Sequence, residues 1–210
     1  MTAIVLASNN QKKRDELAAA LAPHLPTVTI LTLEDVGLSA PVEDADTFVG
    51  NALIKARHCV KASGYAAIAD DSGLCVDVLN GAPGVYSARY AGEHASDVEN
   101  NQLLIDTLLA TGGPQPFTAA FHAAVVFATP KGDEHVVERQ MPGVITLTPR
   151  GTNGFGYDPL FLSDAYGHTR TNAELTQAEK QQISHRGQAL GALLDTVIAY
   201  AQQPDETLRG

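Results

Sequence analysis

Short apolar runs alternate with stretches of helical periodicity at both ends of this chain, and two long strand-like segments lie back to back in its middle. That order constrains the fold more than any other feature. Ile4-Val5-Leu6 precedes the polar Ser8-Asn9-Asn10, after which Leu17 and Leu21 recur at helical spacing with Lys12, Lys13, Arg14, Asp15 and Glu16 exposed. Pro23 and Pro26 end that helix, and Val28 to Leu33 reads as a neighbouring strand. Thr47 to Ser63 predicts a helix buried along Phe48, Ala52, Ala56, Cys59 and Val60, with Asn51 and Lys55 one turn apart on an adjoining face and Gly64 as its stop. Ala66 to Ala69 predicts a brief strand that leads into Asp70-Asp71-Ser72-Gly73. A further strand is expected over Leu74 to Leu79, then a Gly/Pro-rich loop over Asn80 to Gly84.

Ser96-Asp97-Val98-Glu99 has the spacing of a capping box, and its helix continues through Leu103, Leu104, Thr107 and Leu108 to Gly112-Gly113. Phe117, Phe121, Val125 and Phe127 share one parity and predict a long strand, with Lys131-Gly132-Asp133 turning it into Glu134 to Arg139. Thr176 to Glu179 is a second capping box, and Ser184 opens a final helix with Leu190, Leu193, Leu194 and Val197 inward. Strand–helix units at the ends around a central hairpin predict an α/β fold with two lobes of mixed sheet and helices and a groove between them. The middle segment is expected to be inserted into the first lobe. At 210 residues the chain fits one domain with two lobes.

Composition excludes several classes. Hydrophobic residues make up 44% and charged residues 18%, enough apolar material for a substantial core. The net charge of −10 repels a nucleic-acid backbone, so a small anionic substrate is the charged partner that remains, taken up where a few cations and a divalent metal converge. No apolar run exceeds six residues, as in Ala123 to Ala128, against the ~20 needed to span a bilayer, and no cationic segment precedes Ala3 to Ala7. A cytoplasmic protein without a membrane partner is expected. Cys59 and Cys75 lack metal-site spacing and read as reduced core residues.

Five segments can carry chemistry. Ser8 to Lys13 opens a helix after a strand: Ser8 and Asn10 can donate to phosphate oxygens, Lys13 adds charge, and Asn9, Gln11 and Lys12 offer main-chain donors. A polar helix start with a solvated basic face fits the same residues. Asp70-Asp71 ends a strand, where one of the pair can face a site and help to hold Mg²⁺, with Glu43 or neighbouring acids as second ligand; a capping Asp-Ser-Gly turn is the alternative. Lys55 can balance charge there, or simply be solvated. Gly151 to Pro159 combines three glycines with Phe155, Tyr157 and Asp158, an aromatic face and an acceptor for a planar base, or a turn with two core aromatics. Ser184-His185-Arg186-Gly187, with Lys180 about a turn earlier, can donate to a purine carbonyl or phosphate, or form an exposed capped helix start.

Taken in order, these segments resemble the inosine/xanthosine triphosphate pyrophosphatase family from Ser8 to about Leu194. The matching stretches are Ser8-x-Asn10-x-x-Lys13, Thr47-Phe48 with Asn51-Ala52-x-x-Lys55-Ala56, Ala69 to Leu74, and Gly81 to Gly84 with Tyr86 to Tyr90. Gly154 to Pro159, Ala173-Glu174-Leu175, Lys180 and Ser184 to Gly187 complete them. The resemblance implies two lobes flanking a long nucleotide cleft, a homodimer, Mg²⁺ dependence, and hydrolysis of non-standard purine nucleoside triphosphates (ITP, dITP, XTP) to monophosphate and pyrophosphate. On matched positions it implies that Ser8, Asn10 and Lys13 hold phosphates, Asp71 is general base and metal ligand, Glu43 serves the metal, and Lys55 is the active-site lysine. Ser72 would contact substrate, and Phe155, Gly156, Tyr157, Asp158, Lys180, His185 and Arg186 would frame the base.

Two positions depart from the family pattern: Gly50 stands where a glutamate commonly precedes the motif's Asn51, and Ala45 replaces the usual glycine. A ligand is then left to water or to Glu43 alone, and a nucleotide-binding sensor without hydrolysis becomes the alternative. Selectivity is expected at the purine six-position, where a carbonyl accepts from His185 or Arg186 and an amino group would leave them unpaired.

Overall fold

The computed structural model describes residues 2–8, 10–26 and 28–203, so Asn9 lies outside the described residues. The elements run β1 (Ala3–Leu6), α1 (Gln11–Leu21), β2 (Thr29–Thr32), α2 (Phe48–Ser63), β3 (Ala66–Val76), α3 (Asp97–Thr111), β4 (Phe117–Ala128), β5 (Glu134–Ile145), β6 (Phe161–Ser163), α4 (Gln177–Ile183) and α5 (His185–Ala201), with short 3₁₀ turns between. The fold is α/β, with one six-stranded mixed sheet in the order β2-β1-β3-β4-β5-β6. β1 pairs in parallel with β2 and β3, whereas β6 runs antiparallel to β5. The chain divides into two compact units: the described residues within 1–71, 124–138 and 189–203 form the first, and residues 72–123 and 139–188 the second.

Alternation along three strands builds the core of the first unit on both faces of its part of the sheet. Ile4, Leu6, Ala66, Ile68, Val125 and Phe127 meet Leu17 and Leu21 of α1 and Leu190, Leu193 and Val197 of α5. Val5, Ala7, Ala67, Ala69, Ala124, Val126 and Ala128 point the other way and meet Ala52, Ala56 and Cys59 of α2. This second interface is built mainly from alanines on helix and sheet alike, so there is little side-chain bulk to hold α2 away from β3. Thr47 caps α2 by accepting from Gly50 N at 3.0 Å, and Gly64 ends it in the left-handed region at φ 74°. The second unit packs Leu74 and Val76 of β3 against Leu104 and Leu108 of α3, Phe117, Met141, Ile145 and Phe161. Each leucine fully buried in these clusters contributes about 1.5–3 kcal/mol.

Three expectations are corrected. β3 runs unbroken through Asp70-Asp71-Ser72-Gly73, so the two aspartates sit within a strand and not at its end. β3 lies between β1 and β4, and ladder bonding in a central strand outweighs the turn preference of Asp-Ser-Gly. The strand then stops at Val76, short of Leu79, because Asp77–Leu79 winds into a 3₁₀ turn that Asn80 closes at φ 53°. β5 extends past Arg139 to Ile145, since its far end is paired with β6 through Gly143, Val144 and Ile145. Cys59 is buried and Cys75 half-buried, both as free thiols.

Ala52 has no exposed surface. Ala52→Leu is therefore expected to overpack the α2 interface and destabilise the fold by about 1–3 kcal/mol, read as a lower midpoint in urea unfolding.

Candidate active site

Strand alternation sends the two aspartates of β3 to opposite faces, and each meets a lysine. Asp70 continues the face of Ala66 and Ile68, where its Oδ2 lies 2.8 Å from Lys13 Nζ of α1. Asp71 continues the face of Ala67 and Ala69, which α2 covers. Its Oδ1 lies 3.0 Å from Lys55 Nζ, and Lys55 Nζ also donates to Glu43 Oε2 at 2.8 Å. One turn before Lys55, Asn51 Nδ2 donates to the other oxygen of Asp71 at 3.3 Å, while Asn51 Oδ1 accepts from Ala45 N at 3.0 Å. The i, i+4 pair of α2 thus grips both oxygens of one carboxylate, and the same asparagine ties down the acidic loop carrying Glu43.

The helix side of the cluster is buried, with Asn51 1% and Lys55 6% exposed, whereas Asp71 and Glu43 are half-buried. Lys55 is therefore not a solvated helical lysine. Burial works against its ammonium, and the carboxylates of Asp71, Asp70 and Glu43 overcome that and hold its pKa above the ordinary 10.5. Burial likewise pushes the Asp71 carboxyl above its ordinary range, Lys55 offsets part of the rise, and Glu43 adds to it. The result is a carboxylate more basic than a surface aspartate, with both oxygens oriented. Glu43 and Asp71 converge on one ammonium and present hard oxygen donors. Among the described residues, no group of three or more His, Cys, Asp and Glu forms a metal cage on its own.

The start of α1 is ordered by its own side chains. Asn10 caps the helix, its Oδ1 accepting from Lys13 N at 3.3 Å, and Ser8 Oγ accepts from Asn10 N at 3.1 Å. Gln11 donates to Asp15 at 2.8 Å, and Gln11 and Lys12 are exposed. The two departures at positions 45 and 50 are coupled in space: a Cβ on Gly50 would sit 2.6 Å from the Ala45 methyl. The methyl occupies the space that a side chain at position 50 needs at its root.

In the second unit, residues 154–158 form a tight loop. Asp158 is 2% exposed; its Oδ2 accepts from Phe155 N at 2.9 Å and pairs with Lys180 Nζ, and its Oδ1 accepts from Asn172 Nδ2 at 3.3 Å. The Phe155 ring carries Lys180 Nζ at 5.0 Å and the Arg186 guanidinium at 5.7 Å. Arg186 Nη2 donates to Ser72 Oγ at 2.9 Å, and the His185 ring stacks on Phe121 at 5.2 Å. His185 and Arg186 are each 6% exposed, so the exposed helix start is excluded. Tyr157 does not offer its ring as a face: it is buried in the core beside Leu160 and Phe161, and its hydroxyl donates to Ser87 O at 2.9 Å. Asp158 is an acceptor spent on the loop itself. The Gly154 φ of 77° and a Cβ position only 2.0 Å from Asp158 Oδ2 explain the glycine there.

Sequence reasoning placed Asn51 beside Lys55 without giving it a task, and it did not pair Asp70 with Lys13. The i, i+4 spacing to Lys55 was the signal for the first; the second had none, because the partners meet only through β1–β3 pairing. A model of the Ham1 family matches residues 4–196. The chain belongs to the Ham1 family. The Escherichia coli K12 protein named dITP/XTP pyrophosphatase is 47% identical over 199 residues, covering 94% of this chain and 98% of its own length. A Corynebacterium diphtheriae protein of the same name is 45% identical over 203 residues, with the same coverages. Among solved structures, a HAM1 protein from Coxiella burnetii superposes with a TM-score of 0.87 at 40% identity, covering 95% of this Ham1-family chain and 100% of the other.

Lys55→Met leaves two carboxylates without their shared cation and is expected to cost about 3 kcal/mol near neutral pH. Stabilisation by Lys55 is complete below its ordinary pKa of 10.5 and is lost as pH rises through the raised folded-state value. The gap between wild type and variant in urea unfolding should therefore narrow above that pH; a gap independent of pH contradicts the assignment.

Proposed function

We propose that this chain hydrolyses non-standard purine nucleoside triphosphates, ITP, dITP and XTP, to the monophosphate and pyrophosphate with Mg²⁺, and so cleanses the nucleotide pool. The observation that carries the reading is the oriented carboxylate of Asp71, held by Lys55 and Asn51 in a chain whose 45–47% identical relatives bear the name dITP/XTP pyrophosphatase. Mg²⁺ is bound through one or two carboxylates together with substrate phosphates, and Asp71 with Glu43 fits that donor set better than an all-protein cage. When bound there, the ion would neutralise charge on the triphosphate.

Asp71 accepts a proton from the attacking water, for which a carboxyl pKa above the ordinary aspartate range makes it the better base. Lys55 fixes one of its oxygens and balances the charge beside it. Ser8, Asn10 and Lys13, with main-chain donors from Gln11 and Lys12 and from Asn9, take the phosphates and stabilise the departing pyrophosphate. In the second unit, Phe155 and Gly156 offer the surface for the base, Lys180, His185 and Arg186 donate to the carbonyl at its six-position, and Ser72 contacts substrate. Tyr157 and Asp158 support that surface from behind. An adenine amino group would leave the hydrogen bonds to that carbonyl unmade, at about 1–3 kcal/mol each. The chain works as a homodimer in the cytoplasm, where nucleotides are; no helix among the described residues is long and apolar enough to cross a membrane.

Pyrophosphate release across a nucleotide panel tests the reading. ITP, dITP and XTP should exceed ATP by roughly tenfold or more in kcat/KM, chelation of Mg²⁺ should abolish turnover, and Asp71→Asn should lose turnover while keeping nucleotide affinity. Tight ITP binding without product favours a sensor, orthophosphate as product makes the chain a general phosphohydrolase, and equal use of ATP removes the selectivity. Sedimentation reads the dimer.

A further inference from the structure

We propose that Asp97 and Asn101, on the first turns of α3, are positioning residues that clamp the peptide of Gly156 and thereby set purine selectivity. This rests on the base-facing role given above to the Phe155 loop. Gly156 N donates to Asp97 Oδ2 at 2.6 Å, and Asn101 Nδ2 donates to Gly156 O at 2.8 Å. Both backbone groups of one residue are held by side chains four positions apart, which share one helix face. The helix end does not need Asp97 for this: Ser96 and Glu99 already satisfy each other's amides as a capping box.

Asn101 gives its amide group twice, to Gly156 O and to Asp97 O at 2.6 Å, while its buried Oδ1 meets no donor among the described residues. Asn172 repeats the pattern at the same loop, donating Nδ2 to Asp158 while its Oδ1 meets no donor among the described residues. Buried acceptors left unmet carry a free-energy cost, and both instances fall where an asparagine donates to residues 154–158. The order so obtained matters there because Gly154 and Gly156 both hold left-handed φ, +77° and +60°, and a glycine loop without such a clamp samples many backbone states. Phe155 lies between the two glycines, so its ring stays beneath Lys180 and Arg186 only while its neighbours are fixed.

Amide hydrogen exchange and steady-state kinetics on the full chain test the clamp together. Asp97→Ala and Asn101→Leu should speed exchange across residues 154–158, raise KM for ITP about tenfold with kcat within about twofold, and lower the ITP-over-ATP ratio, whereas Asp97→Asn, which keeps an acceptor oxygen, should stay close to wild type. Asp97 is exposed, so its variants keep the fold even if Asn101→Leu does not. Unchanged exchange in Asp97→Ala overturns the clamp, and faster exchange with unaltered KM and ratio overturns its part in selectivity. If the wild-type chain itself fails to prefer ITP, the proposed function falls, and exchange still decides whether the clamp holds the loop.

Discussion

One ammonium held by two carboxylates in a buried place governs the first unit. Burial works against the Lys55 charge and the two carboxylates work for it, while the ammonium in turn offsets the repulsion between Asp71 and the partly exposed Glu43. Its position follows from bulk, because alanines on α2 and on β3 and β4 leave the helix free to lie close on the sheet, and a larger side chain at Ala52 or Ala56 would lift Lys55 away from Asp71. Asn51 adds direction to charge. By binding Asp71 on one side and the Ala45 amide on the other, it joins strand, helix and acidic loop through a single side chain.

Alternation in β3 performs a division that a turn could not. Because the strand stays extended through Asp70 and Asp71, one carboxylate makes its direct ion pair with Lys13 of α1 and the next with Lys55 of α2. A strand that ended at Ala69, with a turn beyond it, would have left both free to cap backbone amides.

The second unit reaches order by a different route. Its loop at residues 154–158 is rich in glycine and has little apolar bulk of its own, so polar contacts from α3, α4 and Asn172 hold it, and Tyr157 anchors it in the core. Phe155 then carries two cations on its ring, an arrangement that owes nothing to the hydrophobic pattern of the segment.

Much of the fold was legible in the residues themselves. Leu17 and Leu21, the stripe on α2, the capping boxes at Ser96 and Thr176 and the parity of Phe117 to Phe127 announce their elements because helix and strand periodicity, caps and stops are local physics. The residue types at Ser8 to Lys13, Asp70-Asp71 and His185-Arg186 are likewise ones that can carry chemistry. What only the tertiary structure decided was the environment: that Lys55 and Arg186 are buried, that Tyr157 belongs to the core, that β3 does not break, and that Gly50 and Ala45 share one space. The burial of Lys55 and Arg186 depends on partners 12 and 114 residues away, Glu43 and Ser72, and spacing along a chain carries no information about which distant side chain will close over it.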